Sequence, residues 1–270
     1  MYKKIILYLS LLFIGLLTFL PFLWMMSASV MPTGTANTYP PKLIPSQIDF
    51  SHYQFLFERL ELSKYLFNSL IISIGVTFFS LLLNSMAGYA FAKFRFSNKK
   101  KLFNYLLSSM IIPGQVTMLP VFLMLKSLGL INTYWAIVIP GMASIFGIFL
   151  IRQFALAIPD SLIDAAKIDG ASEIQIYFKL IFPLCKPILV TLGIFTFMGT
   201  WNDFLWPLIV MTDSNMYTMP VALANLMGEH VQDTELMMAG SVLTIIPVLM
   251  VFLALQKYYI KGIMMGGVKY

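Results

Sequence analysis

The segment from Asp164 to Pro187, DAAKIDGASEIQIYFKLIFPLCKP, is a polar stretch in an otherwise apolar sequence. Of the 270 residues in the chain, 59% are hydrophobic and only 11% are charged. A soluble globular domain averages about 45–50% apolar and about 25% charged residues, so a soluble core could not bury this much apolar surface. Most of the chain is therefore expected to lie in a bilayer, and the polar segment is expected to lie outside it.

Six stretches are apolar and long enough to cross a bilayer, which takes about 20 residues. They are residues 5–26, 65–92, 102–125, 127–151, 187–212 and 236–256. None of them alternates as the strands of a barrel do, and a helix satisfies its own backbone in lipid. The sequence therefore predicts an all-α integral membrane protein with six transmembrane helices.

The distribution of basic residues predicts the orientation of these helices. Fourteen of the 18 Lys and Arg residues lie in the segments 1–4, 93–101, 152–186 and 257–269. Short cytoplasmic segments carry the excess of Lys and Arg, so both termini and the segment 152–187 are predicted to be cytoplasmic. Because the basic residues border the apolar runs, the net charge of +6 indicates lipid headgroups rather than nucleic acid. The first apolar run is longer than that of a signal peptide, so it is read as a retained span.

The first half of the polar segment has the pattern of a short helix that ends in a tight turn. Ser161 and Asp164 resemble a capping box at the helix start. Ala165 and Ala166 give the helix a small, smooth surface. Gly170 follows an aspartate and predicts a stop, because glycine adopts left-handed backbone angles without a steric penalty.

The second half predicts another helix that leads into the fifth span. Ser172 and Gln175 fit a capping box, Pro183 is expected to end the helix, and Pro187 is expected to open the span. The pattern thus predicts a helix–turn–helix beneath the membrane. It is compatible both with an amphipathic element that rests on headgroups and with a docking element for another protein.

The spacing of this segment resembles the EAA motif of ABC importer permeases. That motif reads E-A-A, three residues, G, nine residues and then I-x-L-P. Here Asp164-Ala165-Ala166 is followed by Gly170 and, after nine residues, by the run Leu180-Ile181-Phe182-Pro183. The spacing matches throughout. The departures are Asp for Glu at 164, Leu for Ile at 180 and Phe for Leu at 182.

The resemblance extends over most of the chain from Asn68 onward. The segments 68–96, 112–140 and 200–209 and the tail QKYYIKGIMMGGVKY resemble the smaller permease subunit of maltose-type carbohydrate importers. This implies a type I ABC importer permease fold in a bacterial or archaeal cell membrane. The implied organisation is a first helix with an external loop over 1–64, a five-helix core over 65–257 and a cytoplasmic tail over 258–270.

The resemblance also implies that the importer consists of several subunits with different functions. Two cytoplasmic ATPase subunits, a second unlike permease and an external solute-binding protein are the implied partners, and a sugar or oligosaccharide is the implied cargo. The residues implied to couple to the ATPase are Asp164, Ala165, Ala166, Lys167, Asp169, Gly170, Leu180 and Pro183. The residues implied to contact it from an extended tail are Lys261, Gly262, Gly266 and Gly267.

Chemistry is expected to reside on a partner rather than on this chain. No Walker A pattern, G-x-x-x-x-G-K-[ST], occurs in the sequence, so ATP and magnesium are expected on the ATPase subunits. Neither catalytic residues nor a metal site nor a cofactor is predicted for this non-catalytic permease subunit. His52 and His230 are expected to be solvated loop residues.

Asp203 is the one acidic residue within the apolar runs. An ionisable group inside a membrane is costly and by default functional. With Trp201, Asn202 and Trp206 it forms a candidate substrate pathway or gate, since aromatic faces and hydrogen-bonding groups hold sugars. The alternative is that Asn202 and Asp203 brace neighbouring helices or the partner subunit.

Three other functions place different demands on the sequence. The cargo of an ABC importer could instead be a polyol, a glycerol phosphate or an osmolyte. A secondary transporter would be expected to show several buried ionisable groups or an inverted repeat, and only Asp203 qualifies. A membrane enzyme would require a cluster of reactive side chains at one depth, which the sequence does not indicate.

Overall fold

The computed structural model describes residues 2–40, 42–229 and 233–267, with the side chains of 227–229 and 258–267 outside the described part. Within these ranges the regular structure is entirely helical. The helices are α1 (Tyr2–Ala28), α2 (Ser51–Glu58), α3 (Leu62–Lys93), α4 (Lys99–Ser109), α5 (Gly114–Ser127), α6 (Trp135–Gly141), α7 (Ile145–Leu156), α8 (Asp160–Ile168), α9 (Glu173–Ile176), α10 (Phe182–Leu184), α11 (Lys186–Trp201), α12 (Leu205–Val210), α13 (Met219–Glu229) and α14 (Thr234–Gly267). A π-helical turn over Tyr177–Ile181 joins α9 to α10, and a 3₁₀ turn covers Ser214–Met216.

Three helices are continuous and suited to crossing a membrane. Tyr2–Ala28, Leu62–Lys93 and Thr234–Lys257 are each long and apolar enough. They correspond to the first, second and sixth predicted spans and extend each of them by a few residues. If each of three bent helix pairs is also one span, the described residues contain up to six.

The third predicted span, 102–125, is wrong as a continuous helix. Helices α4 and α5 meet at 102°. Pro113, with φ −60° and ψ 136°, precedes the first residue of α5 in an extended conformation. A proline lacks the N–H that would continue α4, and it disfavours helical angles in the residue before it.

The fourth and fifth spans also differ from their predicted bounds. The fourth does not start at Ser127, which ends α5, but at Trp135, and α6 and α7 meet at 40°. The fifth ends at Trp201 instead of continuing to residue 212. At its other end α11 continues from Glu173–Leu184 through a 77° bend, so the second arm of the polar segment belongs to this bent pair.

Residues 1–66 and 219–247 form one compact unit. Its buried cluster comprises Leu56, Leu62, Met219, Leu226, Leu236 and Ala239. Most apolar side chains of α1 are exposed, as expected of a helix that faces lipid. His52 is only 4% exposed, and its Nε2 atom lies 3.0 Å from the Met31 carbonyl oxygen, so the expectation of a solvated residue was wrong. His230 lies outside the described residues.

Residues 67–218 and 248–270 form the second unit. Within it α3 approaches α7 closely at Gly88, where an added Cβ atom would lie 2.8 Å from the Cβ atom of Ile151. Small residues at such contacts allow two helix backbones to approach in membranes. At the α6–α7 break, Asn84 Oδ1 accepts a hydrogen bond from Ser144 N at 2.9 Å. The break therefore leaves no unpaired backbone donor at this position.

The tail differs from the extended segment expected over 258–270. The backbone of α14 is helical through Gly267. Glycine only permits an extended chain, and here the preceding helix continues through the glycines. The side chains of Lys261 and its neighbours lie outside the described part, so their contact with an ATPase stays a prediction.

Candidate functional site

The polar segment folds into a helical hairpin that comprises residues 160–184 and is here called the coupling hairpin, after the role that the EAA resemblance predicts for it. Its first arm, α8, ends in a Schellman motif. Gly170 has a φ of +82°, and its N–H donates to the Lys167 carbonyl at 3.0 Å. The N–H of Ala171 donates to the Ala166 carbonyl at 3.0 Å. The predicted glycine turn is thus confirmed, and it satisfies two of the last carbonyls of α8.

The second arm starts at the predicted capping box. Ser172 Oγ accepts from Gln175 N at 3.3 Å, and Gln175 Oε1 accepts from Ser172 N at 2.9 Å. The capping box predicted for the first arm is wrong, because α8 begins at Asp160 with Pro159 in the capping position and no side-chain cap. Pro183 does not end the second arm, which continues to Leu184.

One face of the coupling hairpin is part of the hydrophobic core of its unit. Its buried residues are Ile163, Ile176, Tyr177 and Ile181. They pack with buried residues of other helices, among them Tyr89 of α3, Ile151 of α7 and Leu192 of α11. In addition, Tyr177 Oη and Ser85 Oγ of α3 are hydrogen-bonded at 2.6 Å. The hairpin is therefore held by the protein itself.

A buried lysine holds the start of the coupling hairpin. The side chain of Lys93, at the end of α3, is 8% exposed and donates to the Ile158 carbonyl and to Asp160 Oδ1 at 2.7 Å. This hydrogen bond lowers the pKa of the Asp160 carboxyl below its ordinary value. The two arms are also joined by an ion pair of 2.7 Å between Lys167 and Glu173.

The outer face of the hairpin contains a cleft of about 490 Å³, here called the hairpin cleft. Its lining includes Ala165, Ala166, Asp169, Gly170, Leu180 and Lys179. Ile168 and Ile174, which flank the turn, are 86% and 71% exposed. Two largely exposed isoleucines at the tip of a rigidly held hairpin are apolar groups that a partner protein can cover.

The predicted coupling residues do not all face this cleft. Asp164 and Lys167 line a second, polar cleft of about 640 Å³ together with Lys93 and Arg95. Pro183 borders a third, apolar groove that lies beside α11. The structure thus groups the alanines, Asp169, Gly170 and Leu180, and places the acid of the motif on the neighbouring surface.

The four predicted pathway residues have different surroundings. Trp201 is 1% exposed and stacks on Phe197 with ring centroids 5.9 Å apart. Trp206 is buried, and its Nε1–H donates to the Ala136 carbonyl at 3.0 Å. Exposed Asn202 donates to the Met198 carbonyl at 2.9 Å. Of the four, Asp203 and Trp206 border a cavity of about 270 Å³.

The sequence patterns did not predict that Ser85, Asn84, Tyr177 or Lys93 takes part in the site. For Lys93 the sequence offers one indication, its position in the last turn of a long helix. Its partner Asp160 is 67 residues away in sequence, and Ser85 and Tyr177 are 92 residues apart. Contacts between residues so far apart in sequence depend on how the helices pack, and short-range sequence patterns do not predict them.

The comparisons with known proteins agree with this architecture. Residues 84–264 match the family described as "Binding-protein-dependent transport system inner membrane component". The arabinooligosaccharides transport system permease protein AraQ of Halalkalibacterium halodurans is 37% identical over 260 residues, which cover 95% of this chain and 93% of that protein. The lactose transport system permease protein LacG of Rhizobium radiobacter is 33% identical over 258 residues, which cover 94% and 92%.

A solved structure shows the fold. A chain of a bacterial ABC transporter involved in the import of the acidic polysaccharide alginate superimposes with a TM-score of 0.85 over 96% of both chains, at 24% sequence identity. The fold is that of a type I ABC importer permease. With the family match over two thirds of its residues, the chain belongs to the family of binding-protein-dependent transport system inner membrane components.

Proposed function

We propose that this protein is the transmembrane permease subunit of an ATP-driven importer for a sugar or oligosaccharide. The observation that carries the proposal is the coupling hairpin. One face of it is buried in the core, and the other exposes the hairpin cleft and two isoleucines. A rigid element with an exposed docking face can transmit a displacement from a partner to the helices behind it.

The cargo is proposed from the relatives. AraQ and LacG are named for arabinooligosaccharide and lactose transport, and each matches more than nine-tenths of this chain. Both names refer to small oligosaccharides. The identity of 33–37% supports the same class of cargo for this chain.

The proposed topology has six spans with both termini in the cytoplasm. It counts each bent helix pair as one crossing together with the three continuous helices. The excess of Lys and Arg supports the orientation, because fourteen of the 18 lie in segments that this topology places inside. The coupling hairpin is then cytoplasmic, where an ATPase can reach it.

The proposed complex contains two ATPase subunits, a second unlike permease and an external solute-binding protein. This chain lacks a Walker A sequence, so ATP and magnesium belong on the ATPase subunits. Its own residues supply the pathway and the docking face. The docking role that the EAA resemblance assigns to residues 164–183 falls in this proposal to the members of that range that line the hairpin cleft, Ala165, Ala166, Asp169, Gly170 and Leu180.

A charge placed in the hairpin cleft tests the docking role. Ala165 is exposed and lines the cleft, whereas Ser161 is exposed on the same helix outside it. We expect Ala165→Arg to abolish co-purification of the ATPase and Ser161→Arg to retain it. The full complex in proteoliposomes should accumulate sugar only with ATP on the ATPase side. Sugar accumulation that follows an ion gradient without ATP would contradict the proposal.

A further inference from the structure

Three helix breaks meet at the cavity of about 270 Å³. Gly114 starts α5 after the 102° bend, Gly141 ends α6, and Asp203 follows the end of α11. In membrane transporters, interrupted helices at one depth commonly form the substrate site, because their ends present unpaired polar groups. The cavity therefore has the position at which substrate sites occur in such transporters.

The carboxylate of Asp203 is half-buried and lacks a charged partner in the described part of the chain. The Asp203 carboxylate accepts hydrogen bonds from two backbone N–H groups, those of Trp206, at a long 3.4 Å, and of Leu205. The described ion pairs involve other acids. An ionised carboxylate can only accept hydrogen bonds, so the group retains unused acceptor capacity that faces the cavity.

The rest of the cavity lining contains two hydroxyls and several apolar side chains. Thr117 Oγ1 donates to the Gly114 carbonyl at 2.8 Å. The hydroxyl of Thr200 makes no hydrogen bond with any described residue. The apolar lining includes Val76, Met118, Val121 and Ile137. This combination of acceptors with C–H surface suits a ring that carries hydroxyl donors on its edge and apolar faces.

Charge and size narrow the class of ligand. At about 270 Å³ the cavity lies just below the range of about 300–1,000 Å³ that small-molecule pockets occupy, so its size suits a single sugar unit better than a chain. Like charges a few ångströms apart repel each other even where solvent partly screens them, so a uronic acid would be disfavoured beside Asp203. The described residues also contain no group of three or more ligands that could hold a metal ion.

We propose that this cavity is a subsite for one neutral sugar unit, in which Asp203 accepts hydroxyl hydrogen bonds and its charge excludes uronic acids. The inference rests on the proposed function and deepens it, because it selects neutral over acidic saccharides. Within the candidate pathway, Trp201 is buried away from the cavity, and the indole N–H of Trp206 is already bonded to the Ala136 carbonyl. Asp203 is the residue that presents a polar group to the ligand.

The test uses the complete complex, with its partner permease and ATPases, reconstituted in nanodiscs. Arabinotriose, lactose and raffinose are first screened for stimulation of the ATPase in the presence of the solute-binding protein. Asp203 is then labelled with a carbodiimide and an amine, and its labelling rate is followed by mass spectrometry. We expect the stimulating sugar to slow Asp203 labelling at least threefold and trigalacturonate to leave it unchanged. Asp213, an exposed capping acid, should label equally in all samples.

A substitution supplies the second readout. Asp203→Asn removes the charge but keeps an oxygen that accepts from Trp206 N. We expect it to raise the half-stimulating sugar concentration about tenfold, since hydrogen bonds to charged groups are stronger than those to neutral ones. Asp213→Asn should leave this concentration unchanged.

The possible results separate the two proposals. If the wild-type complex imports no sugar and none stimulates it, the proposed function fails, and the subsite fails with it. If sugar stimulates the complex but does not protect Asp203, or if trigalacturonate protects it equally, only the subsite is overturned. If Asp203→Asn fails to assemble, the labelling of the wild-type complex decides.

Discussion

The Nζ atom of Lys93 lies 2.7 Å from Oδ1 of Asp160, and so the end of α3 is joined to the start of the coupling hairpin. The same ammonium donates to the carbonyl of Ile158, which lies two residues before the start of α8. A lysine side chain that is only 8% exposed requires such partners, because burial of an unpaired charge is costly. Helix α3 therefore holds the first arm through Lys93 and the second through the Ser85–Tyr177 hydrogen bond.

Replacement of Lys93 by Met should loosen the hairpin. The variant removes the donor and leaves the Ile158 carbonyl without its partner, at a cost of about 2 kcal/mol. We expect a lower thermal unfolding temperature of the purified chain in detergent and weaker sugar stimulation of the ATPase in the complex. Lys100→Met, at an exposed lysine, is the matched control. Equal effects of the two substitutions would rule out a specific role of Lys93.

Acid should weaken the same contact. The pKa of the Asp160 carboxyl is lowered in the folded protein, first by the hydrogen bond from Lys93 and then by its charge. A lowered folded-state pKa gives a stabilisation that is complete above the ordinary Asp pKa of about 4 and is lost as the pH falls through the lower folded value. The difference in unfolding temperature between wild type and Asp160→Asn should thus be constant from pH 7 to about pH 5. It should shrink in more acidic buffers, and a difference that grows there would contradict this assignment.

Substitution of Gly170 should weaken the association with the ATPase by more than the loss of stability alone would explain. Its φ of +82° is unfavourable for alanine by about 1–2 kcal/mol, although an added Cβ atom would meet nothing within 4 Å. Gly129 has a φ of +68° and equally open space outside the hairpin. We expect Gly170→Ala and Gly129→Ala to lower the unfolding temperature alike, while only Gly170→Ala weakens co-purification of the ATPase. A loss of ATPase with both variants would indicate general instability.

The contact between α3 and α7 should not accept a methyl group at Gly88. The added Cβ atom would lie 2.8 Å from Ile151 Cβ and 3.0 Å from the backbone nitrogen of Arg152. Because a backbone atom cannot move aside, we expect Gly88→Ala to destabilise the chain by about 1–3 kcal/mol. Gly199→Ala, with nothing within 4 Å, should be neutral or slightly stabilising in the same thermal assay.

Local rules predict the coupling hairpin well and the broken spans poorly. Gly170 and the Ser172–Gln175 capping box act through their immediate neighbours, so their residue types suffice to predict them. The bend before Pro113 also has a local cause, but the run 102–125 contains no charged residue and so indicates one continuous span. The end of α11 at Trp201 coincides with the polar pair Asn202 and Asp203, but the apolar residues that follow this pair led to the prediction of a span that continues to residue 212.

Composition and short-range spacing by themselves determined that this chain is a helical membrane protein, which segment of it forms the polar hairpin, and which family motif that segment resembles. These properties depend on hydrophobic transfer and on turn chemistry within a few residues. Only the tertiary structure decided that Lys93 holds the hairpin, that Trp201 is buried and that Asp203 borders a cavity. Those features arise where helices distant in sequence pack together, and the spacing within one segment carries no information about which distant side chain completes a hydrogen bond or closes a cavity.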